Sequence, residues 1–433
     1  MRAFALPILS CLLWLVAGAP APGQTLPPSP QQLPWLGGGG LSAFTPPADM
    51  RAFKATLNAG LARGNEGYDG STQTAEFAWN YIQQSSSNDW NWARADALIA
   101  YAQTNFPGIN LIIQCSIGCT VSTDRGEKLS ADPSWACALS TDQYIAAKSA
   151  FVNAMAARYS TNIWGIEIEN EPQPDGTGPP GSWAGYNRHL AILQACQPAR
   201  QYCRLIGWTC QGPFPGWFTY LAQRGLTNLC DAISWHMYAH ASQPPDVTVQ
   251  SKPGDATFNG NLDQWMLWLQ NQVGQMPIAV DEVGLEPNVP VRMAKVMIIL
   301  RAYNALIQLH VWNNGAPPPG KWAAFNNSTA NPFANPYRHA QQAAWAAHWL
   351  GNDTFVSHTV DSNVFIYAFG NRTYAWCLEG TVRACQPAGW DSITDIYGNS
   401  NSPMLLTDAV TVFNGHGTLT MTNSTPWAVL RLH

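Results

Sequence analysis

Ile163-Trp-Gly-Ile-Glu-Ile-Glu-Asn-Glu-Pro172 is an apolar, β-branched run with acids at alternate positions, Glu167, Glu169 and Glu171, and it stops at a proline. Side chains two apart on a strand share a face, so the spacing predicts a strand with three carboxyls along one side. Its remaining positions are apolar as well, which suits a parallel sheet covered on both faces. In parallel barrels the C-terminal strand ends hold the reactive groups. Glu171, the last residue before the proline, is thereby placed at the rim of a pocket. Burial at such a place keeps a carboxyl protonated near neutrality, as a general acid requires.

Far downstream, Met276-Pro-Ile-Ala-Val-Asp-Glu-Val-Gly284 repeats the construction: a short β-branched run, then Glu282, then a glycine to turn the chain. Two carboxyls at the ends of two parallel strands suit glycosidic-bond hydrolysis. One protonates the leaving oxygen while the other attacks the anomeric carbon or activates water. Asp281 competes with Glu282, but neighbours on a regular strand face opposite sides, so one of them points inward. Between and around these two stretches, strands and helices alternate, the pattern of an α/β protein with a parallel sheet. Strands are predicted at 77–83, 110–116, 204–209, 231–238, 277–283 and 310–312, and helices at 92–104, 141–159, 183–195, 217–224, 262–273, 291–309 and 337–349. Residues 22–48, with Gly37 to Gly40, read as a Pro/Gly-rich linker-like segment, and the first strand is left unassigned.

Asn170-Glu171-Pro172, with Trp164 and Glu167 before it and Glu282 on a later strand, resembles the clan A retaining glycoside hydrolases, in particular their β-xylosidase-like and cellulase-like families. Ile233-Ser-Trp-His236-Met-Tyr238 resembles the clan's strand six and Val311-Trp312 its strand eight. The resemblance implies a (β/α)8 TIM barrel over residues 49–352, with Glu171 as acid/base and Glu282 as nucleophile, about 5–5.5 Å apart. It further implies that Asn170 bonds the sugar hydroxyl next to the anomeric carbon, that His236 and Tyr238 flank Glu282, and that Trp312 forms the sugar platform. Trp79, Asn80 and Trp208, with Trp90 and Trp92, fall at predicted strand ends or loops and are expected in outer subsites. Many clan members carry an arginine at the end of strand two, and 77–83 has none. Either Arg51, Arg63 or Arg94 serves, or the second strand lies elsewhere. Residues 353–433, with Thr394-Asp-Ile-Tyr-Gly398, are similar to the small antiparallel β-sandwich that follows the barrel in many clan members, where its role is to cover barrel helices.

Composition narrows the partner. With 11% charged residues, 20 Trp and a net charge of −5, the chain lacks the basic face a nucleic acid demands and suits a neutral carbohydrate. Arg2 followed by an apolar stretch to Ala17 and small residues at Ala19 and Ala21 reads as a signal peptide over 1–21. The expectation is a secreted or periplasmic monomer, with no membrane segment after signal removal and no metal or cofactor. Ten cysteines beside a signal peptide point to disulfides. Proximity pairs Cys119 with Cys137, Cys196 with Cys203, Cys210 with Cys230, and Cys377 with Cys385, leaving Cys115 as a buried small hydrophobe. The competing class is a non-catalytic carbohydrate-binding protein on a barrel scaffold.

Overall fold

The computed structural model describes residues 32–41, 59–64, 76–86, 89–115, 121–122, 128–129, 132–170, 184–210, 212–239, 244–246, 249, 258–285, 292–309, 338–361, 363–401, 405–422 and 428–431. The segment read as a signal peptide, Glu171 and Trp312 lie outside them. Eight parallel strands close into a barrel in chain order: β1 Leu33–Leu41, β2 Ala59–Gly64, β3 Asn110–Gln114, β4 Gly165–Glu167, β5 Arg204–Cys210, β6 Ala232–Ala239, β7 Ile278–Leu285 and β8 Leu306–Leu309, with β8 pairing back onto β1. The outer ring holds α1 Ala93–Asn105, α2 Thr141–Tyr159, α3 Ala184–Ala195, α4 Pro215–Ala222, α5 Leu262–Val273, α6 Arg292–Ala302 and α7 Arg338–Leu350. Polar caps begin two of these helices: Ser140 and Gln143 at α2, and Asn261 and Gln264 at α5, each form a reciprocal capping box. Past its cap, α5 turns Leu262, Trp265, Met266 and Leu269 into the core.

Three expectations about the barrel are corrected. The glycine run is not a linker: Gly37 to Gly40 lie in β1. A Cβ at Gly37 would sit 2.3 Å from the carbonyl oxygen of Leu61, so this strand needs a residue without a side chain where it crosses β2. The second strand is Ala59-Gly-Leu-Ala-Arg-Gly64, and 77–83 instead holds a single helical turn, Trp79–Ile82. Aromatic residues mark burial there, not extended backbone. The helix drawn over 291–309 ends at Ala302, Asn304 takes a left-handed φ of 54°, and the last strand starts at Leu306.

Beyond α7 the chain forms two antiparallel sheets. One has the order β9 Phe355–Asp361, β10 Val364–Phe369, β11 Arg372–Cys377, β15 Thr411–Asn414, β13 Ser392–Asp395; the other runs β14 Leu405–Leu406, β12 Arg383–Ala388, β16 Thr418–Thr422, β17 Ala428–Arg431. Val364, Ile366, Phe413, Leu406 and Leu419 fill the space between the sheets. The opposite face of the larger sheet sends Phe365, Tyr367, Phe369, Tyr374 and Trp376 into the same apolar core as the barrel helices. Polar ties cross the junction: Tyr367 donates to Asp263 of α5 at 2.7 Å, and Arg292 of α6 makes two bonds to Glu379.

The disulfide expectation fails for three of the four pairs. Cys196, Cys203, Cys210, Cys230, Cys377 and Cys385 are all reduced thiols. Nearness in sequence does not orient Cβ vectors for bridging. The Cys230 thiol donates instead to the carbonyl of Leu226 and the Cys377 thiol to that of Leu406. Burial pushes the thiols of Cys196, Cys203 and Cys230 up to about 12. Cys119 of the fourth pair lies outside the described residues. Cys115 is buried, its sulfur 3.6 Å from that of Met155. No helix among the described residues is long and apolar enough to cross a membrane.

Candidate active site

Leu61, Ile112, Ile206 and Ala232 form an apolar floor inside the barrel, with Trp164 and Leu306 packed against it. Arg63 follows Leu61 by two residues and so shares its inward face. The guanidinium is the hub of the cavity. Its Nε and Nη2 donate to the two oxygens of Glu167, at 2.9 and 2.5 Å. Nη1 donates to Glu282 at 2.6 Å, and Nη2 also reaches Oδ1 of Asn170 at 3.0 Å. One cation therefore ties β2 to the ends of β4 and β7. Burial by itself lowers the pKa of an arginine, but Glu167, Asp281 and Glu282 together hold that of Arg63 well above its usual value.

The second partner of Glu282 comes from β6. Tyr238 donates its phenol hydrogen to Oε2 of Glu282, and the Nδ1 atom of His236 lies 3.4 Å from the same oxygen. The side chain of Glu282 is 19% exposed, whereas those of Glu167 and Asp281 are fully buried. Among these three carboxylates, only that of Glu282 meets solvent. A buried arginine and a phenol donate to it, and donors of this kind favour the charged form of a carboxylate.

Asp281 is not turned toward the helices. Its oxygens lie 3.8 Å from Nη2 of Arg63 and 3.5 Å from Nε2 of His236, inside the barrel. The reason is a β-bulge. Between Ser234 and His236 on β6 the facing strand advances from Ala279 to Glu282, and between Ile307 and Leu309 on β8 it advances from Val280 to Val283. The extra residue in β7 breaks the alternation and lets both acids point inward.

Glu167, His236 and Asp281 offer ligand atoms within 4.8 Å of one another, a spacing that could suit a cation. The guanidinium of Arg63, bonded to both oxygens of Glu167, already supplies the positive charge at that place. The donor set does not fit a metal.

Glu169 also departs from the expected pattern. β4 ends at Glu167, so the two-residue period no longer governs the residues after it. Glu169 turns out to α3, where His189 Nδ1 lies 2.8 Å away and Arg188 3.7 Å away. Burial raises its pKa, but the bond and charge of His189, with Arg188, bring it below the usual value. His189 Nε2 in turn accepts the backbone N–H of Trp208, whose φ of 69° marks an irregular stretch of β5.

Asn170 and His236, together with Tyr238 and Glu282, thus meet around Arg63. Trp79 and Trp208 do not reach the cavity. Trp79 is buried against Trp135, Tyr144 and Phe151, and Trp208 against Phe218 and Trp265. Asn80 sits half-buried in the turn beside Trp79. Trp90 and Trp92 stack on one another and on Phe151 of α2. Trp79 and Trp208 are therefore core residues, whereas Trp90 and Trp92 keep part of their surface exposed. Arg63 was one of three arginines open from sequence. Its signal was the pairing with Leu61 two residues earlier and the glycine directly after it.

No protein-family model matches the chain, and no curated protein matches it. Its fold is similar to several solved structures. A family 39 glycoside hydrolase from Bacteroides cellulosilyticus WH2 superposes with a TM-score of 0.61 at 15% identity, over 89% of this chain and 81% of the other. A family 30 subfamily 8 xylanase from Clostridium acetobutylicum gives 0.50 at 13% identity, over 88% and 96%. A family 10 endo-β-1,4-xylanase from Gloeophyllum trabeum gives 0.50 at 14% identity, over 76% and 100%. The chain shares the (β/α)8 barrel fold of these structures.

Proposed function

We propose that this chain is an exported retaining β-glycoside hydrolase. The observation that carries the reading is Glu282: a partly exposed carboxylate on β7, held by Arg63 from β2 and Tyr238 from β6. An oxygen of Glu282 attacks the anomeric carbon and forms a glycosyl ester, while Glu171 gives its proton to the departing glycosidic oxygen. Glu171, now ionised, then takes a proton from water, which attacks the anomeric carbon and releases the sugar with its configuration kept. Asn170, bonded to Arg63, is held where its amide can meet the neighbouring sugar hydroxyl. The barrel's likeness to solved glycoside hydrolases supports the reaction class, and the Arg2–Ala21 leader supports export.

Hydrolysis of a panel of aryl β-glycosides and β-linked polysaccharides, opening with xylan, tests the reading. Glu282→Gln and Glu171→Gln are each expected to lower kcat by about 10⁴-fold while sugar binding persists. Azide should restore turnover to Glu282→Gly, giving a glycosyl azide of inverted configuration. A parent chain that binds sugars but cleaves none of the panel refutes the proposal in favour of a binding protein.

A further inference from the structure

Above its apolar floor, the inner wall of the barrel carries polar side chains on four consecutive strands. Ala232 belongs to the floor, so Ser234, two residues on along β6, faces inward, while Trp235 turns out to Trp265 of α5. On β8, Leu306 packs on the floor and Ile307 and Leu309 join the outer core, so Gln308 faces inward. On β5, Cys210 pairs with the outward Trp235, which leaves Thr209 inward beside Ser234. Asp281 completes the group, brought in by the bulge in β7 between β6 and β8. These four side chains belong to residues at most 1% exposed. Oγ1 of Thr209, Oγ of Ser234, both carboxyl oxygens of Asp281, and the amide oxygen and nitrogen of Gln308 make no hydrogen bond to any described residue. Buried polar atoms in folded proteins are paired, with the chain or with bound water, so a cluster of this kind points to a ligand.

We propose that the barrel holds a site for ordered water beneath Glu282, lined by Thr209, Ser234, Asp281 and Gln308. The chemistry of the lining selects the ligand. Two hydroxyls, a carboxyl group and an amide call for a small molecule that both donates and accepts. Room for it lies below Asp281, where Ala279, in register with Ser234 on one side and Leu306 on the other, offers only a methyl group. The cations beside Asp281 do not replace it: Arg63 at 3.8 Å and His236 at 3.5 Å make charge contacts, a range at which water joins polar groups. Arg63 has its Nε, Nη1 and Nη2 committed to Glu167, Glu282 and Asn170. A buried water makes about three hydrogen bonds, so these atoms accommodate about two molecules. Water that donates to Asp281 holds this acid without drawing the guanidinium away from Glu282. Ser234 and Gln308 are then positioning residues, acting on the neighbour of Glu282 through the water they bind. That kinetic consequence rests on the reading of Glu282 as nucleophile, whereas the water site itself does not.

The first test needs no variant. A high-resolution crystal structure of the full chain should show about two waters, each within about 3.2 Å of an oxygen of Asp281, Ser234 Oγ or the Gln308 amide. A map with no water in reach of these atoms overturns the proposal. The second test compares Ser234→Thr with Ser234→Val, two side chains of one shape that differ in the hydroxyl. Deuteron magnetic relaxation dispersion, which counts long-lived internal waters, should give the threonine variant the parent's count and the valine variant about one fewer. The valine variant should lose kcat by about tenfold with KM within about threefold, and the threonine variant should keep kcat within about threefold of the parent. Equal water counts in the two variants overturn the site, and equal kcat beside unequal counts overturns the positioning role. Bound water in a chain that hydrolyses no glycoside supports the site and removes the nucleophile reading instead.

Discussion

Two buried polar groups, one inside the barrel wall and one outside it, balance their charges in opposite ways. Outside, each acid has its own cation. Asp132 pairs with Lys148 at 3.0 Å and receives the phenol of Tyr144, while Glu169 faces His189 and Arg188. Inside, Glu167, Asp281 and Glu282 gather around the single guanidinium of Arg63. Balanced pairs lock helices to strands and have no charge to spare. Among the described residues the inner set is short of cations, and burial with the neighbouring Asp281 holds the pKa of Glu167 above its usual value despite the pull of Arg63. Perturbed acids clustered in a cleft mark function for this physical reason.

Breaking the inner hub should have the largest effect. Arg63→Leu leaves buried carboxylates without their cation, and a loss of about 3–5 kcal/mol is expected by urea denaturation, with turnover abolished. Lys148→Met orphans Asp132 in the outer set and should cost about 3 kcal/mol, while an assay below the lowered melting temperature should show kcat within about threefold of the parent. If that change abolishes kcat in a folded protein, the division between structural and functional sets fails. Tyr238→Phe removes one donor to Glu282 and should lower kcat by about 10–100-fold with stability changed by less than about 1 kcal/mol.

The smallest effect is a pH dependence that separates the two sets by sign. The folded-state pKa of Glu169 is depressed, so its contribution is present above the unfolded value and lost as pH falls through the folded one. That of Glu167 is raised, so stability is greatest below the unfolded value and declines as pH rises toward the folded one. Melting temperatures from pH 3 to 7 should therefore show a shallower acid-side decline in Glu169→Gln than in the parent. A steeper decline would reverse the assignment.

Much of the barrel was legible because burial on both faces writes itself as β-branched runs, as in Ile163–Ile168 and Ile278–Val280. The strand ends that carry His236, Tyr238 and Glu282 were legible for the same reason. β1 and β2 were not, since Gly37–Gly40 and Ala59-Gly-Leu-Ala are chosen for close backbone approach, and small residues leave no strand signature. The inward turn of Asp281 was hidden because a bulge is a matter of register between neighbours, which no single strand records. Glu169 was misjudged because alternation was extended past the last paired residue.

The aromatic face of the larger C-terminal sheet has a consequence for how the molecule is made. Phe365, Tyr367 and Trp376 seal the same apolar mass as the barrel helices, so a ribosome that has finished α7 has not finished the folding unit. A fragment cut after residue 352 would bare that surface and is expected to aggregate during expression, so the barrel should be produced only with its β-sheet companion attached.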